Sequence, residues 1–477
     1  MGKYEPVIGL EVHVQLSTKS KVFCGCGANF GSAPNSQTCP VCLGLPGSLP
    51  VLNKEAFISA VKVALSLNCE IQSTVKFDRK NYYYPDLPKN YQISQYDKPI
   101  AYNGSVEIIG QPGKSVAIRR VHLEEDAGKL LHDQDRTQSV VDYNRAGTPL
   151  LEIVTEPVIH SPEDAYNYLL SLKTILSYLD VSDCNMEEGS LRCDANISVR
   201  PAGQKKLGVK SELKNMNSFK AVRLALEHEI ERHIDLLENK KRVVQETRLW
   251  DSDNETTVAM RIKEDTHDYR YFPEPDLVPF HVDEDMVKRI KKELPELPAR
   301  LMLTLRDRYG FKEKEAALLV ADKKVADYFE KTVSVKNSPK AALNWITQDI
   351  MSELNARAIS IDKFGFVPEY LAELISLIEE GTISGKMAKD ILRESAKENI
   401  SPRKIVDGKG LKQISDASEI AGIIDEVIGE NAKSVKDYRS GKKNALMHLV
   451  GQVMRKTRGK ANPSIVGRTL KEKLDSF

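Results

Sequence analysis

The chain has 477 residues, 41% of them hydrophobic and 29% charged, with a net charge of +1. A length and apolar share of this size predict a soluble globular protein of several domains. No apolar run approaches the ~18 residues of a membrane span, MGKYEPVIGL has no signal or transit composition, and an odd count of seven cysteines argues against a secreted disulfide framework, so a cytoplasmic protein without membrane contact is expected.

GLEVHVQL, residues 9 to 16, alternates as a strand. Leu10, Val12, Val14 and Leu16 fall on one face and Glu11, His13 and Gln15 on the other. Four cysteines follow in FCGCGANFGSAPNSQTCPVC, where Cys24 and Cys26 form a C-x-C pair and Cys39 and Cys42 a C-x2-C pair. Two close pairs joined by a loop rich in Gly, Asn and Ser can bring four thiolates to the corners of a tetrahedron. A set closed by protein on all sides predicts a structural Zn²⁺, with iron or four unliganded thiols as the alternatives. Cys69, Cys184 and Cys193 lack partner spacing and are assigned to the core.

DRKNYYYPDLPKNYQISQYDKP interleaves Tyr82, Tyr83, Tyr84, Tyr91 and Tyr96 with Arg79, Lys80, Lys89 and Lys98. Aromatic rings among cations suit unpaired RNA bases, and they suit surface packing equally well. GQPGKS ends like a phosphate-binding loop, but the earlier glycine such a loop requires is Ile108. A nucleotide bound here would therefore be held by metal and side chains.

RRVHLEEDAGK puts Val121, Leu123 and Glu125 on one face and pairs His122 with Glu124 on the other. GTPLLEIVTEP sets Glu152 in a nearly continuous apolar run. LRCDANISVRP presents Arg192, Asp194 and Asn196 opposite Leu191, Cys193 and Ala195, and VKSELKN presents Lys210, Glu212 and Lys214 together. Half-buried strands always show a polar face, but carboxylates among apolar neighbours are costly unless paired or bound to a cation. Carboxylates with an imidazole suit Mg²⁺, which bridges to substrate phosphates.

Two amphipathic helices stand out. One starts at Ser161 and Pro162 and carries Tyr168, Leu169, Leu172, Ile175, Leu176 and Leu179; the other follows Asn217 with Phe219, Val222, Leu226, Ile230, Ile234 and Leu237. DTHDYRYFPEPDL repeats the tyrosine pattern before the Pro-rich break of PEPDLVPF and ELPELPAR. Beyond that break nearly every segment has helical period, and SPRKIVDGKG marks a second break. The expected organisation is a mixed strand and helix region over 1–294, a helical domain over 295–405 and a basic helical tail over 406–477. From Lys436 onward eleven Lys or Arg stand against three acids, leaving −7 for the rest of the chain. Lys442, Lys443, Arg455, Lys456, Arg458 and Lys460 surround an apolar helix there, a pattern suited to nucleic acid.

GLEVHVQL, FDRKNYYYPDLPKNYQISQ, LEEDAGK, NRAGTPLLEIVTEP, MEEGSLRCDANISVRP, ELKNMNSF, QETRLWD and DYRYFPEPDL together resemble the GatB-type chain of the bacterial and organellar tRNA-dependent amidotransferase, in order from about residue 5 to the C-terminus. The resemblance implies an α+β fold, with an antiparallel-sheet cradle akin to glutamine synthetase followed by two all-α domains, the last gripping tRNA. It implies that ATP phosphorylates the side-chain carboxylate of Glu on tRNA(Gln) or Asp on tRNA(Asn), and that ammonia then displaces phosphate. The magnesium ligands it implies are His13, Glu125 and Glu152, with Glu11, Glu124, Asp194 and Glu212 attached to the same pocket. No amidase motif such as G-G-S-S-G appears, so a separate amidase chain would supply ammonia, with a small third chain of the amidotransferase bridging the two. Two other readings compete: a non-catalytic, zinc-stabilised RNA-binding protein, which leaves Glu152 without purpose, and a small-molecule ligase, which leaves the basic tail unexplained.

Overall fold

The computed structural model describes residues 2–132, 139–262, 269–411, 417–440, 442, 444–457, 461 and 463–476. The chain forms two compact units, Met1–Thr304 and Leu305–Phe477. Helix Pro298–Tyr309 spans the division, a little beyond the Pro-rich break.

The first unit is built on a nine-stranded sheet. In chain order its strands are β1 (Tyr4–Gln15), β2 (Glu70–Ile71), β3 (Ala101–Glu107), β4 (Ser115–Glu125), β5 (Pro149–Thr155), β6 (Leu191–Pro201), β7 (Lys210–Lys214), β8 (Glu246–Asp251) and β9 (Thr256–Ile262). Across the sheet the order is β9-β8-β7-β6-β1-β5-β4-β3-β2. The first strand made is thus the central one, flanked by β5 and β6. Every pairing is antiparallel except β7 with β8, which is parallel. The expected antiparallel sheet is therefore mixed, because a long helix carries the chain back to the starting end of β7 before β8 begins.

Alternation along β1 works as its residues dictate. Leu10, Val12 and Val14 are fully buried, while Glu11, His13 and Gln15 face the half-open side. Three helices cover the apolar face: α1 (Lys54–Ser66), α2 (Pro162–Tyr178) and α3 (Phe219–Glu238). Ser161 caps α2 by accepting the Asp164 N–H at 3.1 Å, and Ser218 caps α3 by accepting the Ala221 N–H at 3.1 Å. Tyr168, Leu172 and Leu176 of α2 and Val222 and Leu226 of α3 join β1 and β6 in one apolar core. On the opposite face, a small sheet of Asp78–Asn81, Tyr91–Ser94 and Phe272–Pro273 covers one end of β4. That second layer is why His122, Leu123, Glu124 and Glu125 are all buried, whichever way they point.

The second unit is helical, as its period predicts. Its last helices, Ala417–Glu430, Asn444–Lys456 and Pro463–Asp475, close around a core of their own containing Ile424, Val427, Leu449, Val453 and Leu470. Among the described residues no helix is long and apolar enough to cross a membrane.

Candidate active site and metal centres

Register assembles the site. His13 of β1 lies opposite Glu152 of β5, and Glu152 lies opposite His122 of β4, so three strands place these side chains in one row. Glu124, two residues along β4, points the same way. The distances are 3.4 Å from His13 Nε2 to Glu152 Oε2, 3.2 Å from His122 Nε2 to the same oxygen, and 3.5 Å from His122 Nε2 to Glu124 Oε2. One donor atom each from His13, Glu124 and Glu152 lies within 4.8 Å of the others. One imidazole nitrogen and two carboxylates form a set that a hard divalent cation accepts.

The other acidic residues continue this face toward the far edge. Glu11 lies opposite Asp194 and accepts a 3.0 Å hydrogen bond from Asn196 Nδ2. Lys214 pairs with Asp194 and, at 3.0 Å, with Glu212, which also accepts from Thr247 Oγ1 at 3.0 Å. Asp126 anchors the other end, receiving Arg192 at 2.8 Å and Gln15 at 2.7 Å. Arg192 and Lys214 are thus already engaged with carboxylates, and Lys210 is exposed at the strand end.

The charges of this cluster depend on one another. Burial and the charge of Glu152 raise the Glu11 carboxyl. Burial alone would lower His13, but the hydrogen bond and charge of Glu152 outweigh it and hold the imidazole above its usual value. The same contest, with Glu152 and Glu124 against burial, pushes His122 up to about 9. Against burial, the His122 charge holds Glu152 well below the carboxylate range, and the hydrogen bond from His122 with the charge of Lys80 holds Glu124 below it. Protons on the two imidazoles and a divalent cation are therefore competing ways to neutralise the same carboxylates.

Glu125 does not stand with His13 and Glu152 in this row; the neighbouring Glu124 does. Alternation turns it away from His122 and Glu124. Its carboxylate pairs with Lys89 and accepts the Ile93 N–H at 2.8 Å. Glu125 and Lys89 line a separate small cavity with Lys21, Cys24 and Cys42.

The four cysteines converge as their spacing predicts. Cys24, Cys26, Cys39 and Cys42 place their sulfurs within 4.8 Å of one another. A Ser20–Gly27 turn presents the first pair, with the Lys21 N–H donating to the Cys26 carbonyl at 2.9 Å, and the start of a short helix presents the second. The Cys39 N–H points at Cys42 Sγ from 3.2 Å. Lys21, fully buried, brings its ammonium to 3.6 Å from Cys42 Sγ and donates to the Tyr143 carbonyl at 3.3 Å. A hydrogen bond from the Cys24 thiol, the backbone of Cys39 and the Lys21 charge all favour thiolate at Cys42, whereas the hydrogen bond to Cys42 and burial raise Cys24. Four sulfurs, one favoured as thiolate beside a buried cation, fit a closed tetrahedral zinc site. Cys69, Cys184 and Cys193 are buried in the core, as expected.

The tyrosine stretch largely serves the protein itself. The Arg79 guanidinium lies 4.2 Å over the Tyr91 ring, Tyr96 stacks on Tyr271 at 4.4 Å, and Lys80 lies 5.8 Å from the Tyr82 ring and 5.0 Å from that of Tyr269. Tyr83 and Tyr84 are exposed. The 265–268 part of the second tyrosine segment lies outside the described residues. In the tail, Lys442 pairs with Asp437 at 2.9 Å, and Lys456 with Glu426 at 2.7 Å and Glu430 at 2.8 Å, while Arg455 is exposed; Lys443, Arg458 and Lys460 lie outside the described residues.

Sequence reasoning does not assign Lys21 or His122 to a site, and it places Lys80 only among the cations of the tyrosine stretch. Lys21 reads as an ordinary solvated cation, and only its burial marks it. His122 is visible as the face-mate of Glu124, but with His13 already supplying an imidazole nothing in the pattern asks for a second.

Residues 6–288 match the GatB/GatE catalytic domain, and residues 327–474 match the GatB domain. The chain is 52% identical over 479 residues to the B subunit of the aspartyl/glutamyl-tRNA(Asn/Gln) amidotransferase of Carboxydothermus hydrogenoformans, covering 99% of each chain. It is 54% identical over 473 residues to the protein of the same name from Caldanaerobacter subterraneus subsp. tengcongensis, again covering 99% of each. With that of Brevibacillus brevis it shares 49% identity over 478 residues and the full length of both chains. The similarity runs along the whole chain, and the chain belongs to the GatB family of tRNA-dependent amidotransferases.

Proposed function

We propose that this chain uses ATP to phosphorylate the side-chain carboxylate of Glu on tRNA(Gln), Asp on tRNA(Asn), or both, and then amidates it. The observation that carries this reading is the convergence of His13, Glu124 and Glu152 from three strands onto one point of a buried acidic face. These three residues would hold Mg²⁺, which supplies charge neutralisation for a transferring phosphoryl group. His122 fixes both carboxylates from behind. Lys80, caged by tyrosine rings and drawn by the charge of Glu124, adds a fixed positive charge beside them. Glu11, with its raised pKa and its tether to Asn196, is suited to take the proton that attacking ammonia sheds as phosphate leaves the acyl phosphate. Asp194, Glu212 and Lys214 hold the flank of the site in place.

Ammonia comes from a partner amidase chain, with a small third chain of the amidotransferase completing the assembly. The reading also places a structural zinc at Cys24, Cys26, Cys39 and Cys42, the glutamine-synthetase-like cradle within 1–294, and tRNA contact in the basic tail over 406–477. A purely RNA-binding role leaves a buried cluster of two carboxylates and two imidazoles with nothing to do. ATP turnover by the reconstituted complex, measured with each mischarged tRNA and with none, tests the proposal. Turnover is expected only with a mischarged tRNA and is expected to vanish in Glu124→Ala while tRNA binding persists.

A further inference from the structure

We infer, on top of that reading, that the tip of the cysteine loop is part of the substrate site and that Phe30 is a stacking platform for an adenine ring. A cavity of about 630 Å³, within the range of small-molecule sites, opens between this loop and the acidic sheet face. Gln15, Arg192 and Asp194 line it, and Arg192 lies opposite His13 in the β1–β6 register, so the cavity is bounded by the strand neighbour of the metal-binding row. Phe30 stands in its wall and is 74% exposed.

An exposed ring on a loose loop would mean little, but this loop is fixed. Asn29 and Gln37 exchange hydrogen bonds of 3.1 and 2.8 Å at the residue before Phe30. Gly31, at φ +78°, turns the chain directly after it. The loop is then fastened to the 139–144 segment: the Asn35 N–H donates to Asp142 Oδ1 at 2.9 Å, the Tyr143 N–H to Asn35 Oδ1 at 2.8 Å, the Gln37 N–H to Asn144 Oδ1 at 2.8 Å, and Asn144 Nδ2 to the Ala33 carbonyl at 2.7 Å. A solvent-facing phenyl ring on a fixed backbone leaves only its own side-chain torsions to be ordered when a flat partner lands on it. Lys129, exposed in the same cavity, supplies positive charge for an attached phosphate chain, while Arg145 is held by the Ala127 and Gly128 carbonyls at 2.9 and 2.6 Å. The cysteine cluster thereby sets the position of a ligand-binding ring as well as supporting the fold.

Adenine is carried both by ATP and by the 3′-terminal nucleotide of tRNA, and the test separates the two. In the reconstituted complex, Phe30→Ala is expected to raise KM for ATP or for mischarged tRNA by about tenfold or more, with a smaller effect on kcat, and Phe30→Trp to restore it. ADP alone is expected to quench the indole introduced by Phe30→Trp if the ring is that of ATP, and a 3′-aminoacyl-adenosine if it is that of tRNA. Zinc content checks that each variant keeps its loop. Both KM values within twofold of wild type in Phe30→Ala, or quenching by neither probe, would overturn the inference. Because quenching requires no turnover, a failure of the proposed reaction would be seen separately, as absent ATP turnover in the wild-type complex.

Discussion

Glu124 and Glu125 are neighbours on β4 and look in opposite directions, so they make opposite predictions. Glu124→Gln removes a negative oxygen from the His13–Glu152 row, and Mg²⁺-dependent ATP turnover is expected to be lost with little change in melting temperature. Glu125→Gln strands the buried Lys89 ammonium, and chemical denaturation is expected to show a loss of about 3 kcal/mol. Equal effects of the two changes on Mg²⁺ dependence would contradict the face assignment. The alternation that separates them is readable in RRVHLEEDAGK, where Glu125 falls in with Val121 and Leu123. The resemblance assigns the ligand role to Glu125, whereas the geometry sets Glu124 beside His13 and Glu152. Lys21 is not readable at all, because nothing in TKSKV distinguishes a buried lysine from a solvated one. A tetrathiolate zinc centre keeps two negative charges, and this buried ammonium offsets one of them. Lys21→Met is expected to weaken zinc retention about tenfold in competition with a chromogenic chelator, whereas unchanged retention would make the contact incidental.

At the scale of elements, α2 follows its sequence closely: cap, first-turn proline and apolar stripe all appear where the period puts them. Helix α3 does so only in its first half. Beyond Leu226 the deepest residues are Glu229 and His233, while Ile230 and Ile234 are half-buried. The reason lies in what that half covers. It lies over β8 and β9, whose Arg248 and Thr257 face Glu229 at 3.4 and 2.9 Å, with His233 at 3.2 Å and Arg232 beside it. A one-sequence reading of period cannot see that the surface beneath a helix is polar. Against burial, the hydrogen bonds of His233 and Arg232 hold the Glu229 carboxyl below its usual range. Its contribution to stability is therefore complete above the unfolded value of about 4.3 and is lost as pH falls toward the lower folded value. Glu229→Gln is expected to cost about 3 kcal/mol at neutral pH, with the gap from wild type narrowing steadily below about pH 4 in parallel denaturation curves.

For the whole molecule, sequence composition separates a mixed region from a helical one, and charge separates a basic tail from an acidic remainder. The tail's own structure qualifies the charge count, because Lys442 and Lys456 spend part of theirs on Asp437, Glu426 and Glu430. If about five tail cations reach phosphates, tRNA affinity is expected to fall with salt at a log–log slope of about −4. Removing residues after about 405 should flatten that slope and weaken tRNA binding while leaving Mg²⁺ binding at the sheet intact.

The central place of β1 has a consequence for how the chain is made. Its apolar run VIGLEVHVQL leaves the ribosome well before its two neighbours, β5 and β6, which end only at Thr155 and Pro201. At synthesis rates of about 5–20 residues per second, both edges of this strand stay bare for about 7–28 s, long enough for aberrant pairing with another nascent chain. Glu11 and His13, on the face that later carries the metal row, also break that hydrophobic run, so residues that equip the site guard the newborn strand.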